Sequence, residues 1–410
     1  MRILMLVATS VATDARVLKE ARTLVGAGHR VHIIGKSVPT DFEPPQGITV
    51  SSVGASSVLR REGAPSLSRR ELSRPVRFAR WLMLPTHRQS TFRRWAQQAV
   101  EQGAGFDADV VHAHDYTALE AGARLAELKS VPLVYDTHEL WSGRPREYRP
   151  TPLLDRRERR IEARLGGTAA AVITVGEGVA DVLRERYGWR HVVVVRNTFP
   201  SPGPQSPRVG AAPSGLIYAG RLAAFRELET VAAASEPITD DLGLPVTLIG
   251  PADPTWLAAF DAGRARVLAA IPPEEVDALL AAAGLVLVTH SNAWENHRLA
   301  LPNKLFQAIR VGAPVIATDV GELAEIVRSH GLGTLYPPGD AAGMVRAVRT
   351  AVADYPALCA AVADSAKALS WEGDAAVLLD LYERLTPAAG RDCGSGGAAP
   401  QPSRARRSGS

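Results

Sequence analysis

Two cysteines in 410 residues leave no room for a disulfide frame or a cysteine zinc site, since Cys359 sits in an apolar helical context and Cys393 in a polar tail. No run approaches the ~18 apolar residues of a membrane span. The first strand pattern lacks a following G-x-G-x-x-G turn, and Ala8-Thr-Ser-Val-Ala-Thr13 stands in its place. That disfavours a dinucleotide-binding oxidoreductase. No recognised nucleic-acid motif accompanies the basic residues, so nucleic acid is not an expected partner. The apolar start, Met1-Arg-Ile-Leu-Met-Leu-Val-Ala8, is short for a signal peptide and runs into Asp14-Ala-Arg-Val-Leu-Lys-Glu20. A first β-strand is the better reading, and a cytoplasmic protein is expected.

What the chain does have is aliphatic material. With 46% hydrophobic residues over 410 positions it can fill two cores of ordinary domain size. Charge is unevenly placed. Residues 1–200 hold 30 Lys+Arg against 21 Asp+Glu, whereas residues 201–410 hold 17 against 22. The basic first half therefore expects an anionic partner.

Strand and helix patterns alternate along the first half. Ile3–Ala8, Val31–Ile34, Ile48–Val50, Asp109–His114, Pro132–Asp136, Ala171–Val175 and His191–Val195 read as strands. A helix over 14–25 places Val17, Leu18, Ala21, Leu24 and Val25 on one face, with Thr13 or Asp14 as its cap. A second set follows at Gly215–Tyr218, Val246–Ile249, Arg266–Ala269, Leu285–Thr289, Pro314–Ala317 and Thr334–Tyr336. Strands separated by helices imply doubly wound parallel sheets that hold ligands at the carboxyl ends of their strands. The expected organisation is an α/β chain with a Rossmann-like domain over 1–200, a linker over 201–213 and a second Rossmann-like domain over 214–370. A closing helix over 371–386, with Leu378, Leu379 and Tyr382 on its apolar face, and a disordered tail over 387–410 complete it.

The richest stretch runs from Ala300 to Val327. Pro302 suits a helix start, Leu305, Phe306 and Ile309 recur at helical spacing, and Gly312 before Pro314 stops the helix. Pro314–Ala317 is a buried strand, and Gly321 opens another helix whose free N–H groups suit an anion. Lys304 in a first helical turn opposes the helix dipole, a conflict that a bound anion removes. At the end of another strand, Arg221 and Arg226 follow Gly220. A strand-Gly-Arg turn that opens a helix is what binding a phosphate-bearing polyanion would need.

Four segments carry a family resemblance: Asp14-Ala-Arg-Val-Leu-Lys-Glu-Ala21, Tyr135-Asp-Thr-His-Glu139, Tyr218-Ala-Gly-Arg-Leu-Ala-Ala-Phe-Arg-Glu-Leu-Glu229 and Leu301-Pro-Asn-Lys-Leu-Phe306. In that order, on expected strand ends, they resemble the GT-B glycosyltransferases of family 4 (group 1), from Met1 to about Leu385. The resemblance implies two Rossmann-like domains facing a cleft and transfer of a sugar from a UDP- or GDP-sugar, with retention of anomeric configuration, to a glycan, glycolipid or small-molecule acceptor. It implies no cofactor and no metal. It assigns Arg221 and Arg226 to the diphosphate and His138 to the donor sugar near its anomeric centre. Asn303 and Lys304 would border the diphosphate and sugar, with Gly220 and Gly321 at the turns. The family pattern places carboxylates at 299 and 307, where this chain has Leu299 and Gln307. Gln307 would meet the ribose without charge assistance, and Asn296, His297 and Arg298 offer alternative polar contacts to the sugar. Two other readings share the fold: a non-catalytic relative that partners an active transferase, motivated by positions 299 and 307, and a nucleotide-sugar epimerase.

Three further groups have two readings each. His112, His114 and Asp115 end a strand, but His-x-His-Asp with no distant carboxylate is thin support for a metal. Residues 60–94 hold ten arginines and two acids. They read as a helix that packs Phe78, Trp81 and Leu82 inward, or as a peripheral contact with anionic lipid at the inner face of a membrane. Arg156–Arg160 reads as a solvated face on which Asp155 and Glu158 find partners.

Overall fold

The computed structural model describes residues 1–54, 74–144, 151–201 and 210–386. Among these, the strands form two parallel sheets in succession. The first unit runs β1 (Arg2–Val7), α1 (Ala15–Gly26), β2 (Arg30–Lys36), β3 (Ile48–Val53), α2 (Arg74–Ala104), β4 (Val110–His114), α3 (Asp115–Lys129), β5 (Leu133–Thr137), α4 (Pro152–Gly166), β6 (Ala171–Thr174), α5 (Glu177–Tyr187) and β7 (Val192–Val194). The second runs β8 (Gly215–Ala219), α6 (Leu228–Leu242), β9 (Val246–Ile249), α7 (Pro254–Leu257), β10 (Arg266–Leu268), α8 (Pro273–Ala283), β11 (Gly284–Val288), α9 (Glu295–Leu299), α10 (Asn303–Val311), β12 (Val315–Thr318), α11 (Gly321–His330), β13 (Gly333–Tyr336), α12 (Ala341–Ala353) and α13 (Tyr355–Ser365). A last helix, α14 (Trp371–Leu385), follows.

The strand orders are β3-β2-β1-β4-β5-β6-β7 and β10-β9-β8-β11-β12-β13. Direction along the sheet therefore reverses between β1 and β4 in the first unit and between β8 and β11 in the second. Loops on either side of such a point splay apart and leave a crevice at the carboxyl ends of the strands. Strands β4, β5, β6, β8, β11 and β12 are buried at every position, because helices cover both faces. Polar chemistry is thereby confined to strand ends. His114 and Asp115 leave β4, Thr137 and His138 leave β5, Gly220 and Arg221 leave β8, and Thr289 and His290 leave β11.

Helix α1 begins on Asp14, whose side chain accepts from Val17 N at 3.2 Å, so Asp14 rather than Thr13 is the cap. Its buried face carries Val17, Ala21 and Leu24, and also the charged Arg16 and Glu20. Helix α14 does not stay with the second unit. Its Trp371, Leu378, Leu381 and Tyr382 join Ile3, Val17, Ala21 and Leu24 in one core of the first unit, while Leu379 is only partly buried. Trp371 Nε1 donates to Thr23 Oγ1 at 2.9 Å, which fixes the register of α14 on α1.

Two sequence expectations need correction. Phe78 and Trp81 do not pack inward: they are 63% and 42% exposed and stack on each other with centroids 5.6 Å apart. Trp95, Ala96 and Ala99, further along α2, enter the core against α3 instead. The part of α2 that the core receives is its C-terminal end, around these three residues. Glu158 is not on a solvated face of α4 either; it is buried and accepts from Trp141 Nε1 at 3.0 Å. The tail over 387–410 and most of the linker over 201–213 lie outside the described residues, as does the first part of the 60–94 segment. No described helix is long and apolar enough to cross a membrane.

The contact of α14 with the first unit rests on apolar burial. Leu378→Ala is expected to cost about 2–5 kcal/mol, the range for deleting a buried leucine side chain. The check is the denaturant midpoint of the transition that reports α1 and α14, and an unchanged midpoint would remove α14 from that core.

Candidate active site

On the first unit the site is built around Asp136, at the end of β5. Burial alone would raise its carboxyl, but Arg16 and His138 outweigh burial and hold it well below the usual carboxylate range. Arg16 binds it with both Nε and Nη2 at 2.9 Å, and Arg16 Nη1 donates to Val195 O at 2.9 Å. His114 Nδ1 and His138 Nε2 each lie 3.1 Å from Asp136 Oδ2. His138 Nδ1 faces Asp115 Oδ2 at 3.4 Å. Burial opposes a charge on His138, but Asp115 and Asp136 prevail and raise the imidazole to about 9. It is therefore an imidazolium at neutral pH, held between two carboxylates.

Glu20, from α1, approaches Arg16 Nε at 3.1 Å, and burial followed by the Asp136 charge raises its carboxyl. His112 Nδ1 is hydrogen-bonded to Tyr382 Oη of α14 at 2.8 Å. Glu20, His112, His114 and Asp136 bring ligand-type atoms within 4.8 Å of one another. These are the distant carboxylates that the sequence did not supply for the His-x-His pair. The Arg16 guanidinium contacts both of them and already provides the balancing positive charge.

On the second unit, Gly220 has φ +151°, and a Cβ there would meet Lys304 Cε at 2.5 Å. The missing side chain lets Lys304 lie across the β8 turn, with Nζ 4.7 Å from the Tyr218 ring centroid. Arg226 sits between Phe225 at φ +63° and Glu227 at φ +57°, two non-glycine residues in the left-handed region. Each such residue costs on the order of 1–3 kcal/mol unless its surroundings enforce it. Thr289 Oγ1 donates to Arg226 O at 2.6 Å, and Gly339 N donates to Glu227 Oε2 at 2.9 Å; together they enforce the loop. Among the described residues neither Arg221, Arg226 nor Lys304 makes an ion pair. Burial, then Arg226, lowers Lys304 to about 8. Strong positive potential thus gathers at the end of β8 with no protein anion bonded to it.

The remaining expected residues have other partners. Asn296 is buried between the units: its Oδ1 accepts from Leu140 N at 3.2 Å and its Nδ2 donates to Glu139 Oε2 at 2.5 Å. Asn303 Oδ1 accepts from Asn197 Nδ2 at 3.1 Å. Gln307 donates its amide to Asp277 Oδ1 at 2.9 Å, so its nitrogen is held by α8. Gly321 is required for close packing, since a Cβ would fall 1.8 Å from Arg298 O. The carboxylate of the next residue, Glu322, accepts from Glu177 N at 2.7 Å and Gly178 N at 3.0 Å at the start of α5.

Arg16, Glu20, Thr289, His290 and Glu322 escaped the sequence reading, and Asp115 entered it only as a candidate metal ligand. Only the first two left a signal there: an Arg and a Glu four apart, bordering the apolar stripe of α1.

Two family models match the chain. One, described as Glycosyltransferase Family 4, covers residues 15–199, and the other, Glycosyl transferases group 1, covers residues 213–354. The chain belongs to the GT-B glycosyltransferases of family 4, group 1. It is 28% identical to a glycogen synthase of Mycobacterium tuberculosis over 263 residues, which is 61% of this chain and 61% of the relative's length. It is 26% identical to a D-inositol 3-phosphate glycosyltransferase of Jonesia denitrificans over 316 residues, 70% of this chain and 74% of that one. Sucrose-phosphate synthase from Thermosynechococcus elongatus shares the fold with a TM-score of 0.69 at 18% identity, covering 94% of this chain and 99% of that one. Anabaena HepE, crystallised with UDP, does so with a TM-score of 0.64 at 16% identity, covering 94% and 100%.

Two expectations follow from the charges. Because the His138 value is raised in the folded state, its stabilising contribution is complete below about 6.5, the unfolded value, and is lost as pH rises through about 9. Imidazole carbon shifts should therefore show His138 charged across neutrality, and Asp115→Asn should lower its midpoint; a titration near the free-histidine value would remove the carboxylate clamp. Lys304 has the opposite sign. Its lowered value costs the empty protein stability below about 8, a cost that disappears above 10.5. Lys304→Met is expected to raise the melting temperature of the empty protein at neutral pH while weakening donor binding.

Proposed function

We propose that this chain transfers a sugar from a nucleoside diphosphate to an acceptor hydroxyl. The observation that carries the reading is the pair Arg226 and Lys304, gathered at the β8 turn without a protein counter-anion. Such a pocket is complementary to a diphosphate, and most of all to one gaining charge as the glycosidic bond breaks. A UDP-sugar donor is favoured, because the fold neighbour HepE was crystallised with UDP and with UDP-glucose. The first unit would receive the acceptor. His138, charged and fixed by Asp115 and Asp136, would orient the donor sugar beside the Asn296–Glu139 contact that joins the two units. Asp115 and Asp136 are committed to His138 and Arg16, and Glu139 to Asn296 and Arg144, which argues for same-face substitution with retention over a covalent glycosyl intermediate. The exposed Phe78–Trp81 pair on arginine-rich α2 supports a peripheral contact with anionic lipid, as a lipid-linked acceptor would require.

Calorimetric titration with UDP, GDP and ADP, without added metal, tests the donor site against an Arg226→Ala variant. One diphosphate should bind, and the variant should weaken it by about 10–100-fold, the worth of one charge-assisted contact. Equal binding by both proteins would place the diphosphate elsewhere. Binding of the diphosphate sugar without turnover would instead identify a non-catalytic partner of another transferase.

A further inference from the structure

Beside Arg226 and Lys304 stand two histidines that the donor-site reading does not use. His290 follows Thr289 at the end of β11, and its backbone N–H donates to Thr318 Oγ1 at 2.9 Å. The hydrogen bond from Thr289 to the Arg226 carbonyl ties this strand end to the diphosphate loop. The His290 side chain is buried, and its Nδ1 has no hydrogen-bond partner. His297, from α9, lies beside it with ring centroids 4.6 Å apart, and its Nδ1 is 2.8 Å from Ser291 Oγ. A buried imidazole nitrogen with nothing to bond is costly, and it persists where a ligand completes it.

The surroundings of the pair are cationic. Burial pushes His290 down to about 3, and the charges that add to this come from His297 on α9, Arg226 in the β8 loop and Lys304 on α10. His297 is lowered by burial and then by Arg226, with partial relief from a backbone contact at Ser291. No carboxylate is among these groups. A diphosphate set between Arg226 and Lys304 would reverse the sign of the local potential.

We propose that the His290–His297 pair is a proton-accepting part of the diphosphate clamp: one proton from solvent is taken up between the two rings when a nucleoside diphosphate binds beside Arg226 and Lys304. The inference rests on the donor-site reading and adds to it a third positive charge that is absent in the empty protein. The lone pair on a ring nitrogen accepts the proton, and the resulting N–H donates to a phosphate oxygen. Because charge on the diphosphate grows as the sugar departs, the protonated pair would stabilise the departing group more than the bound donor.

UDP-glucose and GDP-mannose are suitable probes, since a diphosphate diester has no phosphate proton that titrates near neutrality. Calorimetry of the whole chain at neutral pH, in buffers of different ionisation enthalpy, counts the protons taken up with whichever probe binds. About one proton is expected, with affinity falling up to tenfold for each pH unit of increase, the linkage limit for one proton. His138 is already charged in this range and cannot supply that uptake. His290→Asn and His297→Asn, accepted only if their melting curves show a folded protein, should each flatten the pH dependence. In the wild type, the uptake should show among the ten histidine imidazole signals as one moving to the charged position, or two moving about half-way, on binding. Tight binding with no proton uptake and no shifted imidazole overturns this inference and leaves the donor site standing. Failure of UDP, GDP and both sugar nucleotides to bind overturns the donor-site reading, and this inference with it.

Discussion

The buried ion pair between Arg16 and Asp136 is the contact on which the first half of the molecule depends. Arg16 comes from the first helix, Asp136 from the end of β5, and the same guanidinium reaches the backbone just beyond β7. One side chain therefore fixes α1 against two strand ends. Both His114 and His138 then lean on Asp136 Oδ2, the oxygen that Arg16 Nε also holds. A buried charge without a partner is strongly destabilising, whereas a satisfied network can hold one geometry among many. Here that geometry is the orientation of His138, which sits one layer outside the pair.

The second half follows the opposite rule. Among the described residues its site cations Arg226 and Lys304 pair with no carboxylate, and the loop that carries Arg226 is held in sparsely populated backbone conformations by Thr289 and Gly339. Charge repulsion and backbone strain both weigh on the empty state, and a bound anion relieves the first. A site of this kind trades stability of the empty protein for affinity. The two halves therefore treat charge differently: the first neutralises it internally and the second leaves it open.

The strands were legible because each is a short aliphatic run bounded by turn residues, and burial on both faces makes that pattern unambiguous. The cations were legible by position: Arg221 and Arg226 lie in the loop that follows β8, and Lys304 in the first turn of α10. What the sequence could not show is pairing across long separations. Asp136 meets Arg16 over 120 positions, and Glu322 meets the start of α5 over about 145. Asn296 read as a sugar contact, yet its amide joins the two units. Gln307 read as a ribose contact, yet it donates to Asp277 on a neighbouring helix. In each case the direction of the side chain was decided by packing that no local pattern encodes. Phe78 and Trp81 failed for a different reason: aromatic residues at helical spacing mark a face, but not whether anything covers it.

The return of α14 to the first unit has a mechanical consequence. The chain crosses between the units twice, once after β7 and once before α14, and the two crossings are bonded together. Trp371 N donates to Phe199 O at 2.8 Å, and Asp374 accepts from Arg196 Nε at 3.1 Å and Thr198 Oγ1 at 2.6 Å. A single tether lets two bodies twist and swing about any axis. Two tethers fastened side by side behave as a door hinge: they resist twist and leave one soft direction of rotation. The paired crossings at Phe199 and Trp371 thus make this one place the natural pivot for any movement of one unit against the other.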